Sequence, residues 1–211
     1  MKPLKTELQD AETLRDLGSA SVQIVHDLKN QLNGLKLYAT FLRKRMEKSE
    51  RPADELETMA KLISGLERAA ADMTVLVRYG RALELRRQPG TDLARLLADS
   101  ADGARVDADG GEFEGDFDPV LLGEALKSIT TGARGEASDG EGAAPVRLRR
   151  EGAAAVVEWP GAVDAQEDPF RGLAGAQGLR MALAAKIIRA HGGEVGRDGT
   201  VLRARLPLQQ S

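Results

Sequence analysis

The stretch that decides the fold is SVQIVHDLKNQLNGLKLYATFLRKR, residues 21 to 45. Its apolar residues recur at alternating spacings of three and four, as the a and d positions of a heptad do. The series consists of Val25, Leu28, Leu32, Leu35, Ala39, Leu42 and Met46. We therefore predict a long helix with one apolar stripe.

The same spacing returns after Arg51-Pro52, the one strong helix breaker between Leu4 and Leu85. The second series consists of Met59, Ile63, Leu66, Ala70, Met73 and Val77. Two such helices joined near residues 48 to 53 form a hairpin. Because its apolar seam is too wide for one partner helix to cover, we expect a homodimer that builds a four-helix bundle.

The composition changes after Pro89, where glycine becomes frequent and short alternating runs appear. Residues 146–149 and 155–158 are typical of strands, whereas residues 91–100, 118–133 and 178–191 have helical patterns. The predicted fold class is α+β, with a helical hairpin domain at residues 1–86 and an α/β sandwich domain at 87–211. The glycine-rich residues 132–144 are predicted to form a loop.

The composition disfavours several kinds of site. The 211 residues include no cysteine and two histidines, which excludes thiolate sites and disfavours histidine-bound zinc but leaves carboxylate metal sites open. A net charge of −3 provides no basic field for nucleic acid. No apolar run approaches the ~20 residues that span a bilayer, and Met1 is followed by charged helix. We expect a complete, cytoplasmic protein that binds neither nucleic acid nor membrane.

His26 lies away from the apolar stripe of the first helix. At about 100° per residue it points roughly 130° from the middle of the stripe, with Asn30 within about 40° of it and Gln23 on the same side. A lone helical histidine is most often a packed or solvated structural residue, but this position removes the packed interpretation. An exposed imidazole is a competent nucleophile, and Asp27 could accept the Nδ1 proton, leaving Nε2 free to attack phosphorus.

The segment HDLKNQL, residues 26 to 32, resembles the H box of the two-component histidine kinases. In that family the box lies on the first helix of a dimeric four-helix bundle. The resemblance implies that His26 is the phosphoacceptor, Asp27 the acid/base, and Asn30 the residue that positions an attacking group. Gln31 stands where the family often has a helix-bending proline, so we expect a straighter helix that keeps the function.

The tail GLRMALAAKIIRAHGGEVGRDGTVLRARLPL, residues 178 to 208, is similar to the end of the Bergerat-type ATP-binding domain that follows the hairpin in this family. His191 then belongs to a helix-ending HGG with Gly192 as the C-cap, which is a structural role. Asp168-Pro169-Phe170 resembles the phenylalanine motif before the ATP lid.

The positions that would contact ATP are changed. Ser128 and Gly132 stand where the family's N box has asparagines, and Val157 falls where the adenine-binding aspartate belongs. In the last glycine box Gly178 remains, but Arg180 replaces a glycine at the phosphate site, and the segment before it is short for a lid. Misalignment of the central strands is an alternative explanation. If the alignment holds, nucleotide is not bound.

An intact H box beside a changed ATP domain suits a histidine phosphotransferase. We predict that His26 carries a phosphoryl group between receiver-domain aspartates of response regulators, with no cofactor of its own. The receiver domain would supply Mg²⁺ and the acidic pocket. Two alternatives stay open: an ATP-dependent kinase that autophosphorylates His26, and a non-catalytic module that binds a regulator.

Leu37 and Phe41 are candidates, with Gln23, for the surface that binds the receiver domain. They point within about 20° and 60° of His26 and lie off the a/d stripe. An apolar face of a receiver helix could pack against them. Equally, they could broaden the bundle core or contact the second domain.

Overall fold

A computed structural model describes residues 4–48, 53–101, 103–134, 144–161, 168–171, 173 and 175–209, with side chains of the first helix described from Ile24 onward. The chain divides into two units, Met1–Ala82 and Leu83–Ser211. The division follows Ala82, whereas the sequence placed it after Arg86. The predicted loop at 132–144 falls largely outside the described residues.

The first unit is the predicted helical hairpin, formed by α1 (Leu4–Met46) and α2 (Ala53–Gly80). Basic residues in the last turn of α1 and acidic residues in the first turn of α2 complement the helix dipoles. Between the helices, Lys36 Nζ lies 2.8 Å from Glu67 Oε1. The Lys36 hydrogen bond and charge lower the pKa of the Glu67 carboxyl, which indicates that the pair is ionised.

α2 covers only part of the apolar stripe of α1. Ala39 of α1 and Ile63 of α2 are buried, with 4% and 8% of their surfaces exposed. In contrast Leu28, Leu35 and Leu42, the d positions of α1, are 42%, 54% and 53% exposed. Among the residues that the structure describes, these three leucines of the heptad stripe are therefore only about half covered.

The second unit contains two sheets and three helices within the described residues. The strands are β1 (Gln88–Asp92), β2 (Val106–Ala108), β3 (Glu114–Phe117), β4 (Val146–Glu151), β5 (Ala154–Trp159), β6 (Glu194–Asp198) and β7 (Val201–Pro207). The helices are α3 (Leu93–Ser100), α4 (Pro119–Arg134) and α5 (Gly175–Ala190). β1 pairs antiparallel with β3, and the others form a five-stranded sheet in the order β2-β4-β5-β7-β6. Only the β2–β4 pair is parallel. The α+β class is confirmed.

Asp118 joins the start of α4 to the segment that follows the hairpin. Its carboxylate accepts hydrogen bonds from the backbone N–H groups of Val120 and Leu121, each at 3.0 Å, and from that of Arg86 at 2.8 Å. Pro119 occupies the first helical position, where its missing N–H costs nothing. Burial raises the pKa of the Asp118 carboxyl, but the backbone hydrogen bonds outweigh it and the pKa is lowered. This capping ties residue 86 to the second unit.

The end of α5 has the geometry expected for the HGG sequence. Gly192 adopts a left-handed conformation, with φ of 80°. Its N–H donates to the carbonyl of Arg189 at 2.9 Å, and the N–H of Gly193 donates to that of Ile188 at 3.0 Å. This is a Schellman motif, so the prediction of Gly192 as the C-cap glycine is confirmed.

His191 is buried beside this cap and is held as the neutral imidazole. Nδ1–H donates to the Ile187 carbonyl at 2.8 Å, and Nε2 accepts the backbone N–H of Asp118 at 3.0 Å. Burial lowers the pKa of His191, and the nearby Arg87 charge adds to this, against the opposing effects of the Ile187 hydrogen bond and the Asp118 and Asp116 charges. The ring links the C-terminus of α5 to the N-terminus of α4.

We expect the second unit to lose stability as the pH falls below about 6.5. Because the folded-state pKa of His191 is lowered, its contribution is complete above the unfolded-state pKa and is lost on acidification toward the folded one, at up to about 1.4 kcal/mol per pH unit. The second unit should lose further stability below about pH 4, because the folded-state pKa of Asp118 is lowered and its contribution disappears as the carboxylate protonates. Urea unfolding followed by the fluorescence of Trp159, the single tryptophan, measures this unit. A free energy of unfolding that is constant from pH 8 to 5 would contradict the assignment.

Candidate functional site

His26 lies in the middle of α1 with 48% of its side chain exposed. On the helix it points away from the strip formed by Leu28, Leu35 and Leu42, by roughly 160–200°. The imidazole is therefore open to a visiting group on the side of α1 opposite the uncovered apolar strip.

Two polar groups lie near Nδ1 of His26. Asp27 Oδ1 is 3.6 Å from this atom, and Asn30 Nδ2 is 3.4 Å from it. In the tautomer with a proton on Nδ1, the Asp27 carboxylate attracts that proton and Nε2 keeps its lone pair. In the other tautomer the Asn30 amide donates to Nδ1, and Nε2 carries the hydrogen. Asp27 thus favours the nucleophilic tautomer, whereas the Asn30 amide nitrogen favours the other.

Leu37 and Phe41 lie on the His26 side of α1. Their side chains are 54% and 61% exposed, although both are large and apolar. The side chain of Gln23, the third residue predicted for this surface, lies outside the described residues. The structure therefore brings Leu37 and Phe41 to the histidine side of the helix.

In the second unit, Glu158 directly follows Val157, the predicted adenine-binding position, and its carboxylate lies on the face of the sheet opposite to Val157. β5 is buried along its whole length, and its alternate residues point to opposite faces of the sheet. Glu158 Oε1 accepts from Arg149 Nη2 and Arg203 Nη2, each at 2.7 Å. Burial opposes ionisation of Glu158, but Arg203 and Arg149 outweigh it and lower the carboxyl pKa. Glu158 is thus committed to a surface ion-pair cluster and cannot replace the carboxylate missing at Val157.

Trp159 fills the space between β5 and α4. It lies at the first glycine position of the family's DxGxG box and is 2% exposed. The indole Nε1–H donates to Thr130 Oγ1 of α4 at 2.9 Å, and the Thr130 hydroxyl donates to the Leu126 carbonyl at 2.9 Å. Val157 points to the same face of the sheet. An indole ring and an aliphatic side chain therefore lie on the α4 face of β5, at the positions that the sequence aligns with the box.

The N-box position Gly132 faces α5 at close range. A Cβ atom added at Gly132 would overlap the side chains of Gln177 and Met181 on α5. Met181 is buried, so α4 and α5 are in close contact at this point. An asparagine cannot be accommodated at position 132 unless these two side chains shift.

The last glycine box lies within the first turns of α5. Ala176, Gly178 and Arg180 are all helical, and Arg180 is exposed. The predicted lid falls partly on residues 162–167, 172 and 174, outside the described residues.

Among the residues that the structure describes, no three histidine, aspartate or glutamate side chains are grouped so as to hold a metal ion. No described helix has the length and apolar character needed to cross a membrane.

The chain shares its fold, a helical hairpin followed by an α/β domain, with solved structures that include a histidine kinase. The chain resembles full-length ShkA, solved in complex with AMPPNP, with a TM-score of 0.62 and 18% identity over 90% of this chain and 45% of that one. It resembles the Acinetobacter baumannii histidine kinase AdeS with a TM-score of 0.50 and 15% identity, over 86% and 97% of the two chains. No sequence-family model and no curated protein matches. The chain thus spans somewhat less than half the length of ShkA.

Proposed function

We propose that this protein is a histidine phosphotransfer protein of a two-component phosphorelay. Nε2 of His26 attacks the phosphorus of a receiver-domain aspartyl phosphate, the P–O bond to the aspartate breaks, and a P–N bond forms. The electron pair of the broken bond stays on the leaving carboxylate. The Asp27 carboxylate, 3.6 Å from Nδ1, favours the tautomer with hydrogen on Nδ1 and stabilises the positive charge that develops on the ring. Transfer to a second receiver is the reverse reaction.

The observation that favours phosphotransfer over ATP-dependent kinase activity is the position of Trp159. Its indole is hydrogen-bonded to Thr130 inside the region that the family uses for adenine, and Gly132 is packed against α5. A nucleotide would have to displace a buried tryptophan and would find no carboxylate at position 157. In the phosphorelay, the receiver domain provides Mg²⁺ and the phosphoryl group, so no nucleotide is required.

The test is a calorimetric titration with ATP, in the presence and absence of Mg²⁺. We expect no binding heat at millimolar nucleotide. The alternative function, an ATP-dependent kinase, is favoured by the fold of the second unit and requires saturable binding in this range. Saturable binding at or below millimolar nucleotide would therefore overturn the nucleotide-free part of the proposal.

We propose a homodimer formed through the strip of Leu28, Leu35 and Leu42. These leucines are exposed within one chain, and they continue the heptad that Ala39 and Ile63 bury. Because each leucine is already about half covered, burying the rest of it against a second copy is worth about 0.7–1.5 kcal/mol. The dimer would leave His26 on the outer side of the bundle.

Leu37 and Phe41, with Gln23, are the proposed receiver-docking surface. We expect Leu37→Glu to remain dimeric but to accept phosphate from a receiver domain at least about tenfold more slowly, because a carboxylate would be buried against the partner. Leu35→Glu is the matched control, two residues away on the opposite side of α1, and should disrupt the dimer. Light scattering and initial transfer rates measure the two effects. A Leu37→Glu variant that loses the dimer would assign Leu37 to the bundle core.

A further inference from the structure

Two consecutive arginines hold the chain between α2 and β1 to the second unit. The backbone N–H of Arg86 donates to Asp118 Oδ2 at 2.8 Å, and Arg87 Nη2 donates to the carbonyl of Ala190 at 2.9 Å. Asp118 directly precedes α4, and Ala190 is the last residue of α5. Arg86 and Arg87, which we call the strap, are therefore bonded to the start of one helix and the end of another.

The imidazole of His191 lies where these two anchor points meet. His191 directly follows Ala190, and its Nε2 accepts the backbone N–H of Asp118 at 3.0 Å. On the other side of the ring, Nδ1–H donates to the carbonyl of Ile187 at 2.8 Å. The residue is only 1% exposed. The neutral ring thus sets the spacing between the two helix ends to which the strap is bonded.

A proton added to Nε2 is incompatible with this arrangement. Both ring nitrogens of a charged imidazole are donors, so Nε2–H would face the N–H of Asp118, which would lose its acceptor. Turning the ring over does not help, because the other nitrogen is then also a donor. The buried side chain has no solvent to turn toward. Protonation therefore displaces either Asp118, whose carboxylate accepts from Arg86, or the end of α5.

Charged groups on β3, at the start of α4 and on the strap act on the ring of His191. The carboxylates of Asp116 and Asp118 favour its protonated form, whereas the guanidinium of Arg87 and burial oppose it. Arg87 Nη1 also lies 3.9 Å from Asp116 Oδ2, so the closed strap offsets part of the attraction from β3. Opening the strap removes this cation and lets water approach the imidazole. Because both changes favour protonation, proton binding favours opening by linkage.

We propose that protonation of His191 opens the strap, so that the chain after the hairpin is bonded to the second unit at neutral pH and released in acid. Release leaves residues 81–87, between the end of α2 and the start of β1, without these two anchors. Only hydrogen bonds are broken. This device does not depend on the proposed phosphotransfer chemistry, because it uses only groups of the second unit.

Hydrogen exchange of the Arg86 amide, followed by ¹⁵N-resolved NMR on the whole protein, reports the opening. We expect its protection factor to fall about five- to tenfold from about pH 7.5 to about pH 5.5, since each opening takes up one proton below the ordinary histidine pKa. His191→Gln keeps an acceptor for the Asp118 N–H but cannot be protonated. In that variant the protection factor should change by less than about twofold over the same range.

Removing the cation of the strap tests the same linkage from the other side. Arg87→Gln should raise the pKa of His191, with the midpoint of its NMR titration shifted upward by about 0.3 pH unit or more. Arg150→Gln is the matched control, because Arg150 also donates to a distant backbone carbonyl, that of Glu112 at 2.8 Å, but has no listed effect on the pKa of His191. This control should leave the midpoint unchanged.

Either of two results would overturn the strap. One is an Arg86 protection factor in the wild type that stays constant between the two pH values, or that matches the β5 amides in size and in its response to low urea. The match would mean that Arg86 exchanges only by global unfolding, whereas local opening exposes little surface and responds weakly to urea. The other is an unchanged His191 midpoint in Arg87→Gln, which decides the matter even where His191→Gln fails to fold.

Discussion

Replacing His26 with glutamine should abolish phosphoryl acceptance, a loss of at least about a thousandfold, because the amide side chain has no nucleophilic nitrogen. Glutamine keeps a good helix propensity and a polar, exposed side chain, so α1 should be unaffected. The measurement is the acid-labile, alkali-stable label that the protein retains after incubation with phosphorylated receiver domains.

The control for this variant is already present in the chain. His191 is the other histidine, but it is 1% exposed and both ring nitrogens are hydrogen-bonded. His191 therefore should not accept label. Unchanged circular dichroism and an unchanged oligomeric state would show that His26→Gln is folded. Labelling of that folded variant at the wild-type level would contradict the role of His26.

Replacing Trp159 with alanine should lower the free energy of unfolding of the second unit by about 3–5 kcal/mol. The indole is one of the largest fully buried side chains, and its removal leaves a cavity between β5 and α4. The Thr130 hydroxyl oxygen would also lose the hydrogen bond that it accepts from the indole N–H. Urea unfolding followed by circular dichroism measures the loss, since the variant has no tryptophan.

Trp159→Phe is the matched variant, because it keeps an aromatic ring but removes the N–H donor. Its cost should be clearly smaller, with about 0.5–1.5 kcal/mol from the hydrogen bond and a further part from the smaller ring. Neither variant should bind ATP, since Val157 still supplies no carboxylate. A cost below about 1 kcal/mol for Trp159→Ala would contradict the placement of the indole in the core.

The hairpin could be predicted from the sequence because its signal is local. Heptads on both sides of Arg51-Pro52 specify two helices, and the end of α5 is set by the short HGG sequence. The helix predicted for residues 91–100 was partly wrong, because α3 begins at Leu93, after a strand. Asp92 is the N-cap and accepts from the N–H of Ala94 at 2.9 Å. The capping residue was a usable signal for this boundary.

The short strands of the second unit could not be predicted. β2 is Val106–Ala108 and β3 is Glu114–Phe117, and both carry acidic residues and lack a repeated alternation. They form strands because distant residues pair with them, β4 in one case and β1 in the other. Such pairing depends on tertiary contacts that no local pattern encodes.

In the candidate site, too, some features follow from the local sequence and others depend on tertiary contacts. The direction of His26, Leu37 and Phe41 follows from helix geometry alone. The bond between Trp159 and Thr130 joins residues 29 positions apart, and the overlap at Gly132 depends on how closely α4 approaches α5. The sequence predicts which positions of the family's ATP-binding motifs are changed, whereas the structure adds the contacts that Trp159 and Gly132 make.

The measurement that tests the central claim most directly compares two phosphoryl donors on the whole wild-type protein. One sample receives γ-labelled ATP with Mg²⁺, and the other receives a panel of receiver domains charged with radiolabelled acetyl phosphate. We predict label on His26 from at least one receiver domain and none from ATP alone. Label on His26 from ATP without any partner, or no transfer from any receiver domain, would contradict the account.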